Sequence, residues 1–175
     1  MKRTLVASVV TASLSVFAFA ANAGEHTISG GYAQSHVKFN GEKIDGNPKG
    51  KGFNLKYRYE LDNNFGVISS LTYTHKGFDK FDVNYYSLMA GPTYRFNEYV
   101  SIYGMVGAAR GEFEVPVLNG SYTEDKSSVS YGLGLQFNPM PNWTIDTSYE
   151  YAKFNDARLG DLKVGTWVVG VGYRF

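Results

Sequence analysis

The sequence predicts an all-β protein: an eight-stranded antiparallel transmembrane β-barrel with short periplasmic turns and long extracellular loops. Three observations carry this. Eight segments alternate apolar and polar residues with period two. The connections between them alternate between short and long. The final segment, VGTWVVGVGYRF (Val164–Phe175), keeps its alternation running to a terminal aromatic residue. A closed barrel accounts for that last feature, because its last strand must pair with its first.

The elements follow in chain order. Lys2 and Arg3, the apolar run Leu5–Phe19 and the small-residue site Ala21-Asn22-Ala23 make residues 1–23 a secretory signal peptide that is removed, leaving 24–175 as the barrel domain. The first strand spans about Thr27–Ser35 and the second Gly52–Glu60. In the second, Phe53, Leu55, Tyr57 and Tyr59 oppose Asn54, Lys56, Arg58 and Glu60, the clearest alternation in the chain. The third strand is expected near Phe65–Thr74, the fourth near Val83–Phe96 and the fifth near Tyr99–Gly111. The sixth lies near Ser127–Asn138 and the seventh near Asn142–Lys153; the closing stretch is the eighth.

Leu61–Asn64, Asn97-Glu98 and Asn138–Pro141 are short and rich in turn formers. Ser35–Lys51, His75–Asp82, Glu112–Lys126 and Lys153–Lys163 are longer. Strict alternation puts every tight turn at one end of the barrel, the periplasmic end, and every long loop at the other.

Composition removes other classes. Seventeen Lys and Arg against sixteen Asp and Glu leave the chain near neutral, which excludes a broadly basic nucleic-acid binder. The absence of cysteine excludes a disulfide-stapled scaffold and thiolate chemistry. His26, His36 and His75 lack metal-ligand spacing, and neither a zinc-protease, a nucleophile-elbow nor a phosphate-loop motif occurs. No enzyme activity, metal or cofactor is expected.

Bulk and charge decide which face looks outward. The apolar parity carries most large aromatics, clustered at strand ends, as two bilayer interfaces require. The other parity carries Gly, Ser and Thr with a few charges. There Lys56, Arg58, Arg95 and Arg174 are expected to meet Glu60, Asp146 and Glu150 as ion pairs in a filled lumen, since an unpaired buried charge is costly. Eight strands leave an interior just wide enough for side chains.

Several stretches resemble the Ail/Lom/OmpX family of small outer-membrane proteins. They are GGYAQS (Gly30–Ser35), KGFNLKYRYE (Lys51–Glu60), AGPTYR (Ala90–Arg95), FNEYVSIYG (Phe96–Gly104), YGLGLQFNP (Tyr131–Pro139), SYEY (Ser148–Tyr151) and the closing strand. The resemblance covers nearly the whole mature chain and is nearer the Ail branch. It implies an outer-membrane barrel of a Gram-negative bacterium, delivered by the outer-membrane insertion machinery and set among lipid and lipopolysaccharide. It also implies a surface adhesin whose loops promote host-cell attachment and complement resistance. The partners so implied are matrix proteins, sulfated glycans and complement regulators.

Two loops carry candidate ligand sites. The first holds Lys38, Lys43, Lys49 and Lys51 against Glu42 and Asp45, a basic patch suited to polyanions. The third holds Phe113, Val115, Val117 and Leu118 around Pro116. If the flanking strands project beyond the membrane, that stretch becomes an edge able to pair with a partner's strand. The competing expectation is a narrow pore, or a purely structural barrel with no host ligand.

Overall fold

The computed structural model describes residues 25–39, 42–43, 49–78, 81–117, 120–156 and 160–175. The expected signal peptide and Leu118 lie outside them. The strands are β1 (His26–Phe39), β2 (Glu42–Lys43), β3 (Lys49–Glu60), β4 (Phe65–Phe78), β5 (Phe81–Arg95), β6 (Val100–Val117), β7 (Gly120–Met140), β8 (Trp143–Asp156) and β9 (Gly160–Arg174). Each wall strand pairs antiparallel with its neighbour, and β1 also pairs with β9, so the sheet closes. The two-residue β2 pairs only with β1, which leaves eight strands in the wall.

Closure explains the closing stretch. Phe175 donates its N–H to the His26 carbonyl at 2.9 Å, and His26 returns the bond at 3.0 Å. The His26 ring stacks on Phe175 and donates or accepts at the Tyr57 hydroxyl, 2.8 Å away. The short turns and both ends of the described chain share one rim, the periplasmic one.

The predicted faces are the observed ones. Leu133, Val106 and Trp167 are 69%, 61% and 54% exposed, as lipid-facing side chains must be once the bilayer is taken away. Cross-strand aromatic pairs run around both ends of this surface, including Phe65–Tyr94 and Trp143–Tyr173 at the inner end and Phe53–Tyr73 and Tyr149–Trp167 at the outer end. Asn54, Lys56, Arg58 and Glu60 are buried on the opposite parity. The interior is not wholly polar: Ile68, Met89, Tyr103 and Met105 form one apolar cluster, and Tyr85, Ala109, Ala152 and Val164 another.

The long loops need correction. Lys38 lies on β1, Lys43 on β2, Lys49 and Lys51 on β3, and Phe113, Val115 and Val117 on β6, all strand rather than loop positions. The β6–β7 ladder runs to the pair Val117↔Gly120, and β4–β5 to Phe78↔Phe81. Past the bilayer no lipid requires an apolar face, so the alternation that marks a strand fades while the backbone pairing continues. Pro116 sits beyond Glu114, the last β6 residue paired with β5 among the described residues, where a missing N–H on that side removes no β5 ladder bond.

Candidate functional site: the lumen and the outer rim

The lumen is organised in levels. At the periplasmic end Arg58 and Glu60, two apart on β3, share the inward face. Arg58 Nη2 donates to Glu60 Oε2 at 3.1 Å, and its Nε lies 2.9 Å from Oε1 as an ion-pair contact. Its Nη1 donates to Gln136 Oε1 at 2.6 Å. Arg95 donates to the same Glu60 at 2.5 Å and lies 3.4 Å from Glu25. Glu25 also pairs with Arg174 of β9, so one carboxylate ties the start of the barrel to its last strand.

At mid-height Lys56 Nζ lies 2.5 Å from Asp146 Oδ1, with both side chains about 1% exposed. The Tyr103 hydroxyl donates to the same carboxylate, 2.9 Å from Oδ2 and 3.1 Å from Oδ1. The Lys56 ammonium stands 5.9 Å from the centre of the Tyr103 ring. Tyr103 fits there because its cross-strand partner is Gly134, whose missing Cβ leaves the space the ring occupies.

Higher still, Glu150 is held by hydroxyls. Thr72 and Ser70 donate to its Oε1 at 2.8 and 3.3 Å, and Ser87 donates to Oε2 at 3.0 Å. Asn54 Nδ2 donates to the Ser70 and Thr72 hydroxyls, both at 2.8 Å, and so orients them. The structure thus brings Lys56 to Asp146, and Arg58 and Arg95 to Glu60. Arg174 goes to Glu25 instead, and Glu150 takes hydroxyl partners. Glu25, Asn54, Tyr103 and Gln136 were not among the expected site residues. Parity puts Asn54 on the lumen face, but alternation does not show which neutral side chains meet the buried charges.

At the outer rim the register aligns positions far apart in sequence. Lys43 pairs with Lys38, Lys38 with Lys163, and Lys163 with Lys153. One lysine from each of β2, β1, β9 and β8 therefore stands in a single row. Lys51 of β3 is exposed and pairs with His75 of β4. Among the described residues the β7–β8 ladder begins at Ser130↔Ala152, whereas β7 stays paired with β6 out to Gly120, and the Ser128 hydroxyl donates to the Lys153 carbonyl of β8. Among the described residues no group of three or more His, Cys, Asp or Glu side chains is placed to hold a metal ion, and no helix is long and apolar enough to cross a membrane.

The chain as a whole is similar to known proteins. Residues 4–175 match the outer membrane protein beta-barrel domain family. The chain is 53% identical to the attachment invasion locus protein of Yersinia enterocolitica, over the full length of both. It is 44% identical to outer membrane protein X of Escherichia coli K12, again over the full length of both. Among solved structures it is similar to Ail, the attachment invasion locus protein of Yersinia pestis, in complex with the heparin analogue sucrose octasulfate. That match has a TM-score of 0.76 at 52% identity and covers 88% of this chain and 100% of the other. A lipid-facing barrel closed on its own first strand, its full-length match to the family and its kinship with Ail and outer membrane protein X give one conclusion: the chain belongs to the outer membrane protein beta-barrel family, as an Ail/OmpX-like, virulence-associated protein of the Gram-negative outer membrane.

Proposed function

We propose that this barrel is a surface adhesin that attaches to host cells by binding sulfated glycans at its outer rim, acting as a binding protein and not as an enzyme. The lysine row Lys43–Lys38–Lys163–Lys153 carries the reading. Adjacent strands stand about 4.8 Å apart, so the row sets cationic positions at a regular spacing across four strands. Four lysine positions in one register suit a polyanion with repeated charged groups. The solved Ail complex with a heparin analogue supports the same chemistry. Lipopolysaccharide phosphates are the anions nearest this rim in the native membrane, and they compete for it.

Replacing Lys38, Lys43, Lys153 and Lys163 with Ser is expected to weaken retention on immobilised heparin by at least tenfold. It should also flatten the salt dependence of what binding is left. An unsulfated glycan column serves as control. Retention and salt dependence equal to those of the parent would remove the row from the function.

A second reading rests on the outer end of β7. Among the described residues, Gly120–Ser127 pair with β6 and have no register partner on β8, while the Ser128 hydroxyl still donates to the Lys153 carbonyl of β8. Such an edge accepts an extended peptide by strand addition. It suits capture of a matrix protein or a complement regulator, which is the route by which the barrel would confer complement resistance.

A further inference from the structure

We propose that the lumen binds one small monovalent cation at Glu150, in a cage built wholly of oxygen atoms. This site is independent of the attachment reading. Glu150 is 0% exposed, and its partners are the hydroxyls of Ser70, Thr72 and Ser87. Among the described residues no cationic group lies within ion-pair distance of it. Lys56 is engaged by Asp146, and the arginines at the inner end by Glu60 and Glu25.

Among the described residues, charge in the lumen and at its inner rim is balanced in number but separated in space. Lys56, Arg58, Arg95 and Arg174 stand against Glu25, Glu60, Asp146 and Glu150. At the inner end, however, three arginines face two glutamates, while Glu150 stands apart in the outer half. Buried charges are normally paired or bound to a cation.

A second observation points to the same place. Thr166 and Ser130 are fully buried, and neither hydroxyl has a hydrogen-bond partner. Thr166 is the direct cross-strand partner of Glu150 on β9 and shares its lumen face. Such partners have Cβ atoms about 4.5–5.5 Å apart. Ser130 lies on β7, two residues from Gly132, the other cross-strand partner of Glu150. Orphaned buried hydroxyls require an explanation, and their lone pairs are ligands for a hard cation.

The donor set selects the ion. Oxygen-only ligation without imidazole or thiolate disfavours transition metals. A single carboxylate matches a single positive charge, whereas calcium sites recruit several. Sodium and potassium are the class that fits.

The test uses the full-length folded barrel in detergent micelles. Its heat-induced loss of the compact gel band is followed at constant ionic strength while N-methylglucamine chloride is replaced by sodium, potassium or rubidium chloride. One alkali cation is expected to raise the midpoint by several degrees and to saturate, as a ligand specific to the folded state does. The rise should be lost in Glu150→Gln and reduced in Thr166→Val, but kept in Glu98→Gln. Crystals soaked in a thallium salt should show an anomalous peak beside Glu150. Equal midpoints in every salt with no such peak would overturn the proposal. So would a protonated-carboxyl infrared band that disappears in Glu150→Gln, because a neutral acid needs no cation. Should Glu150→Gln fail to fold, the thallium peak in the parent and its loss in Thr166→Val decide the matter.

Discussion

Lys56 and Asp146 show what a barrel interior demands of single residues. Ninety positions separate them in sequence, yet they meet at 2.5 Å with almost no exposure to solvent. Alternation alone puts Lys56 and Asp146 on the lumen face, so their burial was legible in the sequence. Their pairing was not, because it depends on how far each strand is staggered against the next around the closed wall. Removing one partner should cost more than the pair contributes. Lys56→Met leaves Asp146, among the described residues, with the Tyr103 hydroxyl alone and is expected to destabilise the barrel by about 3–5 kcal/mol. The double variant Lys56→Met with Asp146→Leu is expected to recover most of that loss, since no charge is then stranded. Urea unfolding in phospholipid vesicles measures both. A double variant that adds a further full loss would mean that the pair contributes as an ion pair and not merely by mutual neutralisation.

At the level of elements, the periplasmic turns are set by the same device used twice. Asp62 Oδ1 accepts the backbone N–H groups of Asn64 and Phe65 at 2.8 and 2.7 Å. Asn97 Oδ1 accepts those of Tyr99 and Val100, both at 2.9 Å. These side-chain turns were readable, because Asp and Asn bond their own backbone two and three residues on. The strand ends at the other rim were not. Glu112, Glu114, Glu124 and Asp125 carry no apolar alternation, yet the β6–β7 ladder runs through all four. The two turns also differ in a testable way. The two backbone N–H groups hold the Asp62 carboxyl below the usual carboxylate range. A depressed folded-state pKa gives stability that is present above the unfolded-state value and is lost as pH falls through the folded-state value. Asp62→Asn keeps the acceptor, as Asn97 does, and removes the titration. It is expected to leave stability at neutral pH nearly unchanged and to make the acid limb of the unfolding midpoint shallower. An acid limb identical to the parent's would show that the charge on Asp62 plays no part in holding the turn.

For the whole molecule, the issue is whether a closed wall encloses a path. The wall is continuous, since β1 pairs with β9 over the register Thr27↔Arg174 to Phe39↔Leu162. Across the enclosed space the side chains stand in successive barriers: the Arg58–Glu60–Arg95 cluster, then Lys56, Asp146 and Tyr103, then Glu150 with its hydroxyls. Ile68, Met89 and Met105 add apolar bulk to the same interior. An ion crossing this lumen would have to part the buried charge pairs at the inner end and at mid-height. Eight strands leave no room to go round them. The native protein in a planar bilayer is therefore expected to give a flat current record. Replacing Lys56 and Tyr103 with Ser and Met105 with Ala, which clears the middle barrier, is expected to produce small, brief steps. Stable, large single-channel steps from the native protein would reverse the reading, because they would require the paired charges to part at equilibrium and would make the barrel a pore instead of a solid support for its outer rim.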